Sequence, residues 1–301
     1  MNEIQNAILA LKKEKNALIL AHYYQRPDVQ EVADHVCDSF EMARLASGAK
    51  EELLVICGVK FMAESAKAFN PDKTVLLPSP DAGCPMADMV TPGDIEALRE
   101  RYPDAAVVCY VNTSCAVKAV CDICCTSSSA ESIVRSLPEK RVIFIPDRNL
   151  GAYVAARVPE KEMILFDGCC PIHDRIVVGD VIEAKATHPD AKLLVHPECR
   201  KEVLQQADYI GSTAGMIKEA LDSSASEFII GTEMEVAERL RGLAPHKKFY
   251  TVVSGFECAD MKKIQLPDVL KALEKNEYQV TLDPEESRLA RRSLERMIGV
   301  H

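Results

Sequence analysis

Apolar positions in this chain fall into short unbroken runs, separated by stretches in which they recur with helical period. Runs such as 53–57, 142–145 and 193–195 show no polar alternation, the pattern of parallel strands covered on both faces. The pattern predicts helix 4–13, strand 18–21, helices 29–36 and 40–47, strand 53–57, helix 61–69 and strand 75–77. A second set follows: strand 107–111, helices 116–120 and 130–137, strand 142–145, helix 150–158 and strand 163–166. The third has strand 193–195, helix 200–207, a short strand 209–210, helix 216–221, strand 228–230, helix 236–243 and strand 249–253. Helices 267–275 and 284–297 flank a strand 278–282 in a tail.

The recurrence is one of position as well as order. Each set ends in a strand followed by a loop that contains a glycine and a cysteine, at Cys84, Cys170 and Cys258, spaced by 86 and 88 residues. The first strand of each ends in a polar ring at His22, Tyr110 and His196, and a hydroxyl stands near a helix start at Ser39, Ser127 and Thr213. Both series keep nearly the same period. The chain therefore reads as a triplication of α/β/α sandwich units with parallel sheets around a pseudo-threefold axis, over 1–84, 85–170 and 171–261. The tail, 262–301, is expected to pack on the first unit or a neighbour.

Open parallel sheets bind ligands at the C-terminal ends of their strands, so the three marked series converge on one cavity. Three thiolates without a nearby fourth suit a [4Fe–4S] cluster with one iron free of protein ligands, whereas structural zinc normally takes four ligands in close pairs. Cys121 and Cys124 have redox or zinc spacing but no second pair. For the three hydroxyls the plainer explanation is helix capping; three equivalents around one cavity point instead to a phosphate or carboxylate site. Tyr24 and Glu198, each two residues beyond a histidine, are candidates for proton transfer.

Composition narrows the classes. The 301 residues are 48% hydrophobic and 27% charged, as in a globular chain with a substantial core, and the net charge of −10 argues against nucleic acid or an anionic membrane as partner. Twelve cysteines with neither a signal segment nor a membrane-length apolar run indicate a cytoplasmic chain whose thiols are free or metal-bound.

Several motifs carry a resemblance along the whole length. They are His22-x-Tyr24-Gln25-x-Pro27, Asp38-Ser39, Phe61-Met62-Ala63-Glu64, Tyr110-Val111-Asn112-Thr113, Cys125-Thr126-Ser127-Ser128, Pro146-Asp147-x-Asn149-Leu150-Gly151, His196-Pro197-Glu198-Cys199, Gly211-Ser212-Thr213 and Cys258-x-x-Met261-Lys262. Together they resemble bacterial and archaeal quinolinate synthase. The resemblance implies condensation of iminoaspartate with dihydroxyacetone phosphate to quinolinate, phosphate and water in NAD biosynthesis. It implies a cluster on Cys84, Cys170 and Cys258, with Ser39, Ser127 and Thr213 holding carboxylate or phosphate groups. It also implies that His22, Tyr24, Tyr110, Asn112, His196 and Glu198 surround the reacting carbons, Glu198 as base and Tyr24 assisting. A transient contact with L-aspartate oxidase or aspartate dehydrogenase would supply iminoaspartate. Cys37 and Ser129 depart from the family's usual Gly and Asn, and Cys115, Cys121 and Cys124 are additional thiols, leaving a disulfide there open. Two other readings stand beside this one: a reductive dehydroxylase of isoprenoid diphosphates on a similar triplicated scaffold, and a non-catalytic iron–sulfur sensor.

Overall fold

A computed structural model describes residues 1–300, so the last residue of the expected tail lies outside it. The first unit runs α1 (Glu3–Glu14), β1 (Ala17–His22), α2 (Pro27–Gln30), β2 (His35–Cys37), α3 (Ser39–Ser47), β3 (Leu53–Cys57), α4 (Lys60–Phe69) and β4 (Thr74–Leu76). The second runs α5 (Pro92–Arg101), β5 (Ala106–Tyr110), α6 (Cys115–Ala119), β6 (Ile123–Cys125), α7 (Ala130–Ser136), β7 (Arg141–Ile145), α8 (Arg148–Ala155) and β8 (Glu162–Leu165). The third has α9 (Pro171–Asp174), α10 (Val178–Thr187), β9 (Lys192–Val195), α11 (Lys201–Leu204), β10 (Tyr209–Ile210), α12 (Thr213–Asp222), β11 (Glu227–Gly231), α13 (Glu235–Leu243) and β12 (Lys248–Thr251). The tail holds α14 (Leu266–Lys275) and α15 (Pro284–Gly299).

Each unit contains one four-stranded parallel sheet, and the three share a strand order: β2-β1-β3-β4, β6-β5-β7-β8 and β10-β9-β11-β12. The central strands β1 and β3 pair from Ala17 with Leu53 to Ala21 with Cys57. All five residues of β3 and of β5 are buried because helices cover both faces of these sheets, which is why their sequences lack alternation. The fold is α/β throughout.

Three expectations need correction. The helix expected over 29–36 is only the four-residue α2, and His35–Cys37 forms the edge strand β2 instead. Helices α5 and α10 were not anticipated; each bears few buried residues, Ile95 in the first and Val181 and Ala184 in the second, too few to mark an apolar stripe. Residues 278–282 make a single antiparallel bridge, Gln279 to Leu76. That bridge, with hydrogen bonds from Leu77 N to Tyr278 O and Val280 N to Val75 O, covers the free edge of the first sheet. The tail spans two units, α14 packing on α1 and β3, and α15 on α4, α6 and β6.

Candidate active site

The cysteine loops are tight where they leave the sheets. A Cβ on Gly168 would lie 2.5 Å from the Pro146 carbonyl oxygen, and Gly255 has φ +66°, so both positions demand glycine. The loops bring Cys84, Cys170 and Cys258 to one cavity of about 930 Å³, part of it open to solvent. The same cavity is lined by His22, Tyr24, Ser39, Tyr110, Asn112, Ser127, His196, Glu198 and Thr213, so each site residue expected from sequence faces this one space. Cys169 is turned differently: its N–H approaches the Met89 sulfur at 3.5 Å. Burial drives the Cys84 thiol up to about 12 and Cys258 to about 11, and pushes Cys170 well above its ordinary value, with Glu198 adding to the rise. Three soft donors from three separate loops, disfavoured as free thiolates, fit a metal centre that supplies the compensating positive charge.

Glu198 is the hub of the polar lining. Its Oε1 accepts from the Tyr110 hydroxyl at 2.5 Å, and its Oε2 lies 2.6 Å from His173 Nδ1 and 3.7 Å from His196 Nδ1. Burial alone would raise this carboxyl. The His196 and His173 rings and the hydrogen bonds from His173 and Tyr110 reverse that, leaving it below its usual value and ionised at neutral pH. Burial also lowers His22 and His196 to about 3, so both rings are neutral at pH 7. The carboxylate is therefore held by the hydrogen bonds of Tyr110 and His173, not by a His196 charge. Tyr24 OH lies 3.0 Å from Thr213 Oγ1 and 2.7 Å from Thr232 Oγ1; burial first, and then Glu198, keep it protonated.

Two of the three hydroxyls stand at helix starts, and neither is the cap. Asp38 and Ser212 are the N-caps of α3 and α12, accepting from Glu41 N and Gly215 N, and this leaves Ser39 and Thr213 as first helical residues facing the cavity. Ser127 lies three residues before α7, in a turn. Asn112 Oδ1 is buried without a hydrogen-bond partner. An orphaned acceptor of this kind costs about 1–3 kcal/mol and is expected where a ligand supplies the donor.

Sequence reasoning missed His173 and Thr232. His173 bridges Cys170 and Glu198: its Nδ1 is 3.3 Å from Cys170 Sγ and 2.6 Å from Glu198 Oε2, and its Nε2 is 2.8 Å from Thr232 Oγ1. Donor atoms of Cys170, His173 and Glu198 all lie within 4.8 Å of one another, a group able to hold a metal ion. The repeat period conceals both residues, because the positions matching His173 are Ala87 and Met261, and those matching Thr232 are Gly58 and Pro146.

Fold and site define an α/β enzyme of three like units, with a small-molecule cavity lined by soft metal donors and a hydrogen-bonded carboxylate. Among known families, Quinolinate synthetase A protein matches residues 6–299. The quinolinate synthase of Caldicellulosiruptor saccharolyticus is 48% identical over 98% of its length and 99% of this chain. Those of Methanoregula boonei and Clostridium perfringens are 50% and 46% identical, the first over 99% of this chain and 98% of its own length, the second over 98% of both. The chain belongs to the quinolinate synthase family, enzymes that form quinolinate in NAD biosynthesis. Neither the dehydroxylase nor the sensor reading is favoured by these relationships. Among the described residues no helix is long and apolar enough to cross a membrane.

Proposed function

We propose that this cavity condenses iminoaspartate with dihydroxyacetone phosphate, releasing quinolinate, inorganic phosphate and water. The observation that carries the reading is the meeting of three loop thiols and a charged carboxylate in one cavity. Cys84, Cys170 and Cys258 hold a [4Fe–4S] cluster. When bound, the cluster supplies a Lewis-acid iron without a protein ligand.

The chain's own residues provide the rest. Glu198 takes a proton from the carbon of iminoaspartate that must attack the triose, and Tyr110 and His173 fix its direction. Tyr24, kept as a neutral phenol, donates to an oxygen of the triose. His22 and His196, neutral at pH 7, offer ring donors and acceptors without adding charge. Ser39, Ser127 and Thr213 bind the carboxylate or phosphate groups, two of them as the first residues of α3 and α12, where the helix dipole favours an anion. Asn112 Oδ1 accepts from the substrate. In this reading the enzyme works in the cytoplasm and receives iminoaspartate through transient contact with L-aspartate oxidase or aspartate dehydrogenase.

Glu198→Gln is the direct test. The variant should keep its visible iron–sulfur absorption and lose roughly 10²–10⁴-fold in quinolinate formation, the range ascribed to a positioned acid–base group. Near-parental turnover with the cluster intact removes Glu198 from the reaction.

A further inference from the structure

In every unit a main-chain hydrogen bond ties the start of the helix after the third strand to the carbonyl two residues before the cavity cysteine. The pairs are Lys60 N to Ala82 O, Arg148 N to Gly168 O and Met234 N to Phe256 O, each 2.8 Å. The residues immediately before these donors are Val59, Asp147 and Glu233, spaced by 88 and 86 residues, the cysteines' own spacings with the order reversed. Equivalent places in the repeat thus carry one apolar and two acidic side chains.

Both carboxylates are fully buried and both meet the backbone N–H of the cysteine in their own unit. Asp147 Oδ2 accepts from Cys170 N at 2.9 Å while its Oδ1 accepts from Leu150 N at 2.7 Å. Glu233 Oε1 accepts from Cys258 N at 3.4 Å and pairs with Lys262 Nζ at 3.0 Å, while its Oε2 accepts from Glu235 N at 2.8 Å. Capping of α8 accounts for one oxygen of Asp147 and leaves the other unexplained. Glu233 is not a cap at all, since Met234 precedes α13. Two residue types with different helix roles both accept from the cysteine N–H of their own unit. Val59 has no acceptor to offer Cys84.

Burying a carboxyl group is costly, and an apolar side chain such as that of Val59 could fill either space without that cost. We propose that Asp147 and Glu233 are positioning residues that fix the main chain of Cys170 and Cys258, so that two of the three thiols are presented at a set orientation and the Cys84 loop is the adaptable one. The proposal rests on the reading that these thiols hold a cluster. Partners that orient metal ligands in this way typically change metal retention by roughly 10- to 100-fold when removed. Lys262 extends the arrangement: it also pairs with Glu235 at 3.1 Å and donates to the Tyr24 carbonyl at 2.6 Å, linking the Cys258 loop to the first unit.

The test measures chelator-driven iron release from the anaerobically reconstituted full chain, alongside thermal unfolding of the same samples. Asp147→Ala and Glu233→Ala should release iron roughly ten- to a hundredfold faster than the parent. Val59→Ala, which removes side-chain volume at the equivalent place but no acceptor, should release it at the parental rate. If the alanine forms do not fold, Asp147→Asn and Glu233→Gln preserve volume and carry the test. Each replaces one acceptor oxygen by an NH₂ group set against an N–H or ammonium donor, and each should release iron faster than Val59→Ala. Parental release from folded carboxylate variants, or equally fast release from Val59→Ala, overturns the proposal. A parent chain that assembles no cluster overturns the cluster reading first and this proposal with it.

Discussion

Two groups of three thiols sit within this protein, and they differ in almost every physical respect. Cys84, Cys170 and Cys258 come from three units, lie in loops beyond the strands, keep some exposed surface and line the cavity. Cys109, Cys121 and Cys124 come from one unit and are buried in β5, β6 and the turn after α6. Cys109 and Cys124 are register partners on neighbouring strands, and Cys109 is within hydrogen-bonding reach of both other thiols. Helix α15 closes over this second group, with Ser293 Oγ 3.3 Å from Cys124 Sγ. All twelve cysteines are unbonded, so the Cys121-x-x-Cys124 spacing has not produced a disulfide. Closeness in sequence made the second group conspicuous; equivalence of phase in a repeat identified the first.

The largest contrast to break is metal retention. Replacing Cys84, Cys170 or Cys258 singly by Ser should each remove most cluster iron and essentially all quinolinate formation, because two thiolates hold a cubane poorly. Cys121→Ala, Cys124→Ala and Cys169→Ala should retain both. Anaerobic iron and sulfide analysis of the six variants decides it. Full cluster in the Cys170 variant with loss in the Cys169 variant shifts the register of the second unit. Loss confined to Cys121 and Cys124 sinks the three-unit arrangement.

Within the second group the contrast is electrostatic. Lys118 is fully buried, makes a hydrogen bond to the Thr113 carbonyl, and has no carboxylate within ion-pair distance among the described residues. Burial opposes ionisation of Cys109, but hydrogen bonds from Cys121 and Cys124 and the Lys118 charge overcome it, so the thiol lies well below its ordinary value. We read the group as a buried pair of the Lys118 ammonium and the Cys109 sulfur, the thiol favoured for ionisation. Removing one partner of such a pair costs about 3–5 kcal/mol, whereas replacing both with apolar groups is often neutral. Cys109→Ala should therefore lower the chain's unfolding free energy by that order, and Lys118→Met in the same background should restore most of it. A single variant of parental stability in denaturant titration would show that no ion pair exists.

These contrasts mark what was readable from residues alone. The strand pattern, the triplication and the cavity cysteines were legible because apolar runs and a repeat period are properties of sequence. β2 was not, since three residues between Asp34 and Asp38 are too few to show a period. Ser39 and Thr213 were recognised as helix-start hydroxyls, yet their turn toward the cavity depends on Asp38 and Ser212 taking the capping role, which only backbone geometry reveals. His173 and Thr232 were invisible for the opposite reason: equivalence between units marks only what the units share, and these residues break it. The protein's chemistry lies partly in what the three units no longer share.

The smallest expected effect separates the cavity's neutral rings from its charged carboxylate. His196 has a folded value of about 3, lowered from 6.5 mainly by burial. A histidine lowered on folding contributes stability that is fully present above the unfolded value and is lost as pH falls toward the folded one. The window is thus pH 6.5 down to about 3. At pH 5, still above the ordinary value of Glu198, the loss attributable to this ring is about 2 kcal/mol, at 1.36 kcal/mol per unit. Asp147 and Glu233 act in the other direction: burial raises them to about 8 and about 7, so their contributions grow as pH falls through the same range. His22 adds a second loss like that of His196. The parent's own pH profile is therefore a near-cancellation and decides little. The difference between parent and His196→Asn is more informative, because the other groups are common to both. Between pH 7.5 and 5.0, His196→Asn should lose about 2 kcal/mol less than the parent in urea titrations, whatever its starting stability. Parallel profiles would mean that His196 is as easily protonated in the folded chain as in the unfolded one. A charged His196 would then help hold Glu198, and the assignment of that task to Tyr110 and His173 alone would fail.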